Sequence, residues 1–315
     1  MTGPSSSNPA PLPPNDLAAG PQASAVIVNY NSGPRLGPLL DVLAPEVASV
    51  VIVDNASVDG SADEMEARDN VRVLRNQTNR GFAAAANQGA AETAAEWVLF
   101  VNPDVHLRPG DVTTLLRGVP DDVAAVAPLQ VDEHGSPKPE TGGYRPSLAR
   151  YAMWALVPVR FHRRLGPWLA PPWPHGDIEL DWVSGALLGI RKTVFDRLGG
   201  FDERFFLYHE DVDFGSRARR AGYRILCRPS VRLHHEVAHG DPARRVASGL
   251  RSIESLALAF TGWRRRVLGL ILSIGFGLRA ALGSGTGRNL ARAALPHARD
   301  LMAGRVPERV LPTVR

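Results

Sequence analysis

A chain of 315 residues, 44% of them hydrophobic, allows one large domain or one with a small appendage, and can bury a real core. Its single cysteine, Cys227, excludes an internal disulfide framework and points to a reducing compartment. The net charge is only +4, but residues from Asp241 onward hold +9 and the rest −5, and a basic tail on an acidic body suits an anionic partner such as lipid, a pyrophosphate or nucleic acid.

Residues 1–22 are rich in Pro, Ser, Asn and Ala and lack the apolar run of a secretory leader, so a disordered arm is expected. Nearly continuous apolar runs over 24–29, 49–54 and 97–102, and a more alternating run over 71–75, predict strands of a parallel sheet covered on both faces. Helices are predicted between them over 35–43, 61–68 and 82–95. Asn29, Asp54 and Asn102 end three of these strands at the carboxyl edge, where open α/β sheets bind ligands. From 132 to 173 Pro and Gly are frequent, and Trp154, Trp168 and Trp173 are scattered among them; loops and short helices are expected, forming a lid or acceptor-side insert. Regularity returns with a strand over 183–190, helices over 191–198 and 210–221, the second ended by Gly222, and short strands over 223–227 and 231–234.

The tail from Pro242 is predicted to be helical and amphipathic. Its most apolar part, 267–282, is interrupted by Arg279 and three glycines, which argues against a membrane span. Trp263 and Arg264–Arg266 precede it, a combination that fits a helix lying in a membrane interface. Helices packed on the domain are the competing expectation.

Several short motifs carry chemistry. The first strand is followed by N-Y-N-S-G, which lacks the G-x-G-x-x-G turn, and no G-x-x-x-x-G-K-[ST] occurs; dinucleotide oxidoreductases and P-loop enzymes are thereby disfavoured. Asp54, in V-D-N-A-S-V-D-G-S, can accept a hydrogen bond from the imino N–H of uracil or thymine. Asn79-Arg80-Gly81-Phe82 makes a tight turn in which the glycine permits close approach to a ligand. In Asn102-Pro103-Asp104 the carboxylate can hold a divalent cation that bridges a diphosphate. Residues 201–213, F-D-E-R-F-F-L-Y-H-E-D-V-D, set five acids among aromatic rings, an arrangement that suits either a helix N-terminus or a walled acidic pocket. Asp213 and Arg217 have the spacing of an ordinary helix salt bridge.

The ordered set V-N-Y-N-S, V-D-N-A-S-x-D-G-S, N-R-G-F, N-P-D, W-V-S-G-A, G-G-F-D-E-R-F-F-L-Y-H-E-D-V-D-F and R-x-x-x-x-G-Y, over residues 24–240, resembles the family 2 glycosyltransferases of the GT-A fold. Within that family the likeness is to bacterial rhamnosyltransferases that build envelope glycans on polyprenyl diphosphate. The resemblance implies an α/β GT-A domain over 23–241, with a mixed, mostly parallel sheet covered by helices, and a basic helical tail over 242–315 at the cytoplasmic face of the membrane. It implies inverting transfer of a sugar, L-rhamnose from dTDP-rhamnose, to a lipid-diphosphate-linked saccharide, with galactofuranose, mannose or GlcNAc nucleotides as alternative donors. Asp211 then falls at the catalytic base, supported by Glu210. Asn29, Asp54, Asn79, Gly81 and Asn102 fall on the donor nucleotide. Asp104 and His234 fall at a Mg²⁺ or Mn²⁺ site, with the adjacent His235 leaving that register open by one residue. Trp182, Ser184 and Gly185 fall on the loop between donor and acceptor. Nucleic acid is not implied as a partner. A rival motif, His235-Glu236-Val237-Ala238-His239, spells the H-E-x-x-H of zinc proteases, but Pro229, Gly240 and Pro242 leave little room for the helix it needs.

Overall fold

The computed structural model describes residues 22–63, 65, 68–157, 176–236, 242–283 and 285–306. The expected N-terminal arm, Trp168, Trp173 and His239 lie outside them, apart from Gln22. The first half runs β1 (Ala23–Asn29), α1 (Leu36–Leu43), β2 (Ser49–Asp54), β3 (Val71–Arg75), α2 (Phe82–Ala91), β4 (Trp97–Val101), β5 (Val105–His106), α3 (Asp111–Leu116) and β6 (Val123–Val131). There follow β7 (Gly142–Gly143), α4 (Leu148–Leu156), β8 (Ile178–Leu180), β9 (Trp182–Val183), β10 (Leu187–Arg191), α5 (Lys192–Arg197), α6 (Glu210–Arg220) and β11 (Arg224–His235). The tail forms α7 (Pro242–Ala259), α8 (Gly262–Leu282) and α9 (Gly285–Met302).

The main sheet has the order β3-β2-β1-β4-β10-β6-β11-β5, with β8 also on β11. β1 to β4, β6 and β11 run the same way, and β10, β5 and β8 run against them, so the sheet is mixed and mostly parallel as expected. β1 is flanked by β2 and β4, and chain order reverses there, which opens a crevice at the carboxyl ends of these strands. Val26, Ile27, Ile52, Val53, Leu99 and Phe100 are almost wholly buried, as double coverage of the sheet requires. The alanine-rich α2 lies close on β1 and β2: a Cβ at Gly89 would fall 2.5 Å from Val26 Cγ1 and 3.0 Å from Val53 Cγ2.

Three expectations are corrected. Ser61–Asp63 form a turn where a helix over 61–68 is expected, because Asp59 Oδ1 accepts both the Ser61 N–H (3.0 Å) and its hydroxyl (2.6 Å) and so competes with helical bonding. The strand over 183–190 is broken into β9 and β10 by Ser184–Ala186. The two strands over 223–227 and 231–234 are one, β11, with a register shift between Arg228 and Arg232 that absorbs Pro229.

In the tail two glycines of α8, Gly269 and Gly275, mark helix crossings. Gly269 meets the backbone of Leu301 and Met302, and a Cβ at Gly275 would fall 2.7 Å from Ala155 Cβ on α4. Leu268, Leu272 and Phe276 bury themselves with Tyr151, Ile253, Leu256, Ala294, Ala298 and Leu301 in a second core. Arg279 stacks over Trp154 at 4.5 Å. Among the described residues no helix is long and apolar enough to cross a membrane. The opposite side of α8 nevertheless exposes Trp263, Leu270, Ile274, Leu278 and Leu282.

Candidate active site

The polar ends of β1 and β2 are locked together. Asn29 is wholly buried, and its Nδ2 donates to Asp54 Oδ1 at 2.8 Å and reaches Ser61 Oγ at 2.9 Å. Ser32 donates its hydroxyl to Asn29 Oδ1. These bonds fix the Asp54 carboxylate at the crevice with Oδ1 engaged, while the Ser57 N–H lies 3.4 Å from Oδ2.

Asn55, a residue not singled out from the sequence, joins the same strand end to the N-R-G-F turn. Its Nδ2 donates to Asn79 Oδ1 (3.0 Å) and Gly81 O (3.1 Å), and its Oδ1 accepts from Arg80 N (3.1 Å) and Asn76 Nδ2 (3.1 Å). Asn79 Oδ1 also accepts the Gly81 N–H at 2.9 Å, so Asn79 shapes the turn. Gly81 has φ +85°, and a Cβ there would sit 2.6 Å from Phe206 O. The close approach that the glycine permits in the chain is to Phe206. Phe82 N donates to the same Phe206 carbonyl at 2.7 Å. The signal for Asn55 was present in the V-D-N-A-S motif, but the motif does not reveal which of its polar side chains spans to the next turn.

That approach brings in the acidic stretch. Phe201 packs edge-on against Phe100, Phe195 and Phe214 at centroid distances of 4.8, 5.2 and 5.7 Å. Tyr208 and His209 then both adopt left-handed backbone angles, φ 69° and 70°, a conformation that costs on the order of 1–3 kcal/mol per residue. The double reversal turns Glu210 and Asp211 inward at the start of α6. Asp211 Oδ2 accepts the Gly185 N–H at 3.1 Å and Oδ1 accepts its neighbour Val212 N–H at 2.8 Å. Burial pushes the Asp211 carboxyl up to about 6 against those two bonds. Glu210, 5% exposed, is raised well above the usual range by burial first and by the Asp211 charge second. Its Oε2 accepts no hydrogen bond from the described residues. Both carboxyls are thus pushed toward their neutral forms, Glu210 by burial and by the Asp211 charge, Asp211 by burial.

The other acids of the stretch are engaged elsewhere. Asp202 is bound by Arg204 at 2.6 Å, and Glu203 accepts from Asn87 at 3.2 Å. Asp213 pairs with Arg217 at 2.7 Å, and Arg217 also donates to Leu198 O and Gly200 O. In the loop before β10, Ser184 N donates to Thr141 O at 2.9 Å and Gly185 stands against Asp211. Trp182 is buried, its indole N–H on Tyr144 O at 3.3 Å; it supports the loop rather than lining the crevice.

At the end of β4, Asn102 N donates to Ala186 O at 2.9 Å, which ties the N-P-D turn to that loop. The histidine beside Asp104 is His235, not His234. His235 Nε2 lies 3.1 Å from Asp104 Oδ1, and its Nδ1 lies 3.2 Å from Gln130 Oε1. His234 points to the other side of β11 and packs on the His106 ring at 5.2 Å. Asp104 Oδ1 is buried yet accepts no hydrogen bond, because the His235 contact is poorly aligned for one. Glu236 bonds His106 at 2.8 Å and Arg35 at 3.4 Å, and its neighbour His235 is on a strand, so the described half of the H-E-x-x-H motif lacks the helix a zinc protease needs.

Residues 24–174 match the model of the glycosyl transferase family 2. A Mycobacterium tuberculosis protein named N-acetylglucosaminyl-diphospho-decaprenol L-rhamnosyltransferase is 33% identical over 288 residues, covering 82% of this chain and 91% of the relative. The Haloferax volcanii low-salt glycan biosynthesis hexosyltransferase Agl10 is 26% identical over 219 residues, 68% of this chain and 67% of its own length. Among solved structures, the mannosyltransferase PcManGT from Pyrobaculum calidifontis, in complex with GDP-Man and Mn²⁺, superposes with a TM-score of 0.56 at 16% identity, covering 91% of this chain and 86% of that one. That likeness is one of fold, and the fold is of the GT-A type.

Proposed function

Because this chain belongs to glycosyl transferase family 2, we propose that it moves L-rhamnose from dTDP-rhamnose to a sugar carried on a polyprenyl diphosphate, with inversion at the anomeric carbon. The observation that carries the reading is the Glu210–Asp211 pair, Glu210 buried and Asp211 half-buried, turned toward the Gly185 loop beside the polar strand ends. The identity to a relative named for this sugar and this class of acceptor supports the choice of substrates.

In this reading Asp54, held by Asn29, takes the imino N–H of the nucleotide base. Asp211 removes the proton of the acceptor hydroxyl as that oxygen bonds the anomeric carbon and the bond to the diphosphate breaks, releasing dTDP. The Gly185 N–H orients Asp211 Oδ2, and burial with the Asp211 charge favours the protonated form of Glu210 beside the base. Asp104 and His235 fit a divalent cation: a buried carboxylate oxygen without a hydrogen-bond donor stands 3.1 Å from an imidazole nitrogen. Two protein ligands suit Mg²⁺ or Mn²⁺ that completes its shell with substrate phosphates and water. When bound, the ion supplies positive charge for the departing diphosphate.

The tail gives the chain its place beside a lipid acceptor. The exposed stripe Trp263, Leu270, Ile274, Leu278 and Leu282 lies on one side of α8, with Arg264 and Arg266 exposed at its start. An apolar stripe with arginines and a tryptophan suits the interface of an anionic membrane. The protein would then work from the cytoplasmic face.

Asp211→Asn is expected to lower kcat by about 10²–10⁴-fold, the usual worth of a general base, and an initial-rate assay with full activity would remove the mechanism. For the wild type, a base raised to about 6 predicts a transfer rate that falls tenfold per pH unit below that value and is flat above it; a limb near pH 4 would contradict it. In thermal-shift measurements dTDP-sugars with Mn²⁺ are expected to raise Tm, and Asp104→Asn is expected to remove the metal-dependent part. Stabilisation by UDP-sugars alone would overturn the rhamnose assignment. Ile274→Glu with Leu278→Glu is expected to abolish co-flotation with phosphatidylglycerol vesicles; unchanged flotation would remove α8 as the membrane contact.

A further inference from the structure

The tail helix α7 touches every residue of the corner that precedes the acid pair. Arg251 lies over the Phe206 ring, with its guanidinium carbon 4.9 Å from the centroid. Ser255 donates its hydroxyl to Leu207 O at 2.9 Å. Ser248 hydrogen-bonds the Tyr208 side chain. Ser252 Oγ lies 3.2 Å from His209 Nε2. Positions 248, 251, 252 and 255 follow the i, i+3, i+4, i+7 pattern of one helix face. Three small hydroxyl side chains on such a face let α7 come close while satisfying polar groups that burial would otherwise strand.

The far side of the corner is held equally firmly. Phe206 O accepts the Phe82 N–H at 2.7 Å, and Gly81 lies against Phe206. Residues 206–209 are thus clamped between the N-terminus of α2 and the face of α7. Two of them, Tyr208 and His209, hold left-handed angles that an unconstrained chain would abandon. His209 O accepts the Asp213 N–H at 2.9 Å and so starts the helix that carries Asp211. The His209 imidazole is buried, and burial pushes it down to about 4, so it meets Ser252 as a neutral ring.

The geometry points to a role for the tail beyond a membrane contact: the Ser248–Ser252–Ser255 face of α7, with Arg251, is a positioning template for the Tyr208–Asp211 corner, and the base is aimed only while α7 is docked on it. The inference rests on Asp211 as the base of glycosyl transfer. None of these α7 residues is assigned contact with substrate; they act through Tyr208 and His209.

The test uses the full chain and compares the triple variant Ser248→Ala, Ser252→Ala, Ser255→Ala with Leu272→Ala, which removes a buried side chain from the tail core but none of the contacts from α7 to residues 206–209. Hydrogen exchange of amides 206–213 is expected to rise at least about tenfold in the triple variant and to stay near wild type in Leu272→Ala. kcat is expected to fall by about 10–100-fold in the triple variant, as a misplaced reacting group loses rate, with the donor KM within about twofold. The single variant Ser252→Thr, which keeps the hydroxyl, should retain kcat where Ser252→Ala loses it. Unchanged exchange over 206–213, wild-type kcat, or an equal kcat loss in Leu272→Ala would each overturn the inference. If the wild type transfers no sugar, the functional reading fails separately, and the exchange comparison alone decides whether the clamp exists.

Discussion

A buried carboxyl group set beside a half-buried one is the constraint on which the rest of this structure depends. Neither Glu210 nor Asp211 would adopt such a position without outside support, since burial disfavours the charge on each and each charge disfavours the other. The chain provides that support in three ways. The N-terminus of α6 offers its dipole to the negative charge. The Gly185 N–H provides a directed bond to Asp211. Burial and the Asp211 charge raise the Glu210 carboxyl, which favours Asp211 as the anionic member of the pair. Residues distant in sequence are recruited to hold this geometry: Gly81 and Phe82 from the donor side, Gly185 from the loop before β10, and the α7 serines from the tail.

The donor side follows the opposite rule. Asn29, Asp54, Asn55 and Asn79 satisfy one another almost completely within the protein. Such a network is rigid before substrate arrives, so binding loses little to reorganisation. Asp104 is the exception, a buried oxygen without a donor at the same edge of the sheet. In the proposed reaction, a pre-satisfied polar network to receive the nucleotide beside one incomplete carboxylate is the division of labour that a metal-assisted diphosphate departure calls for.

Much of this was legible in the sequence. The strands of the first half show themselves because a doubly covered sheet demands unbroken apolar runs, and their polar ends mark the edge where the site forms. What local pattern could not reveal was partnership across the chain. The turn at Ser61–Asp63 replaces a helix because Asp59 captures Ser61, a competition invisible to periodicity. β11 continues past Pro229 because a register shift absorbs the proline, while the buried Arg228 beside it caps the end of α3 at Leu115 O (2.8 Å) and pairs with Asp177 (2.7 Å). His235 rather than His234 meets Asp104 because strand alternation depends on a register that pairing with β5 and β6 fixes. Gly81 marks a close approach, as its type implies, but to Phe206. Two of the three glycines that argue against a membrane span, Gly269 and Gly275, are also where neighbouring helices cross.

The proposed mechanism sets a single base on the face opposite the leaving diphosphate, which permits one displacement and no covalent sugar–enzyme intermediate. The most direct measurement is the anomeric configuration of the product, determined by NMR on the saccharide made from dTDP-rhamnose by the wild-type chain. The account predicts a configuration opposite to that of the donor. Retention would contradict it, because two successive displacements or a front-face route would be needed, and Asp211 as placed here would serve neither as the sole base.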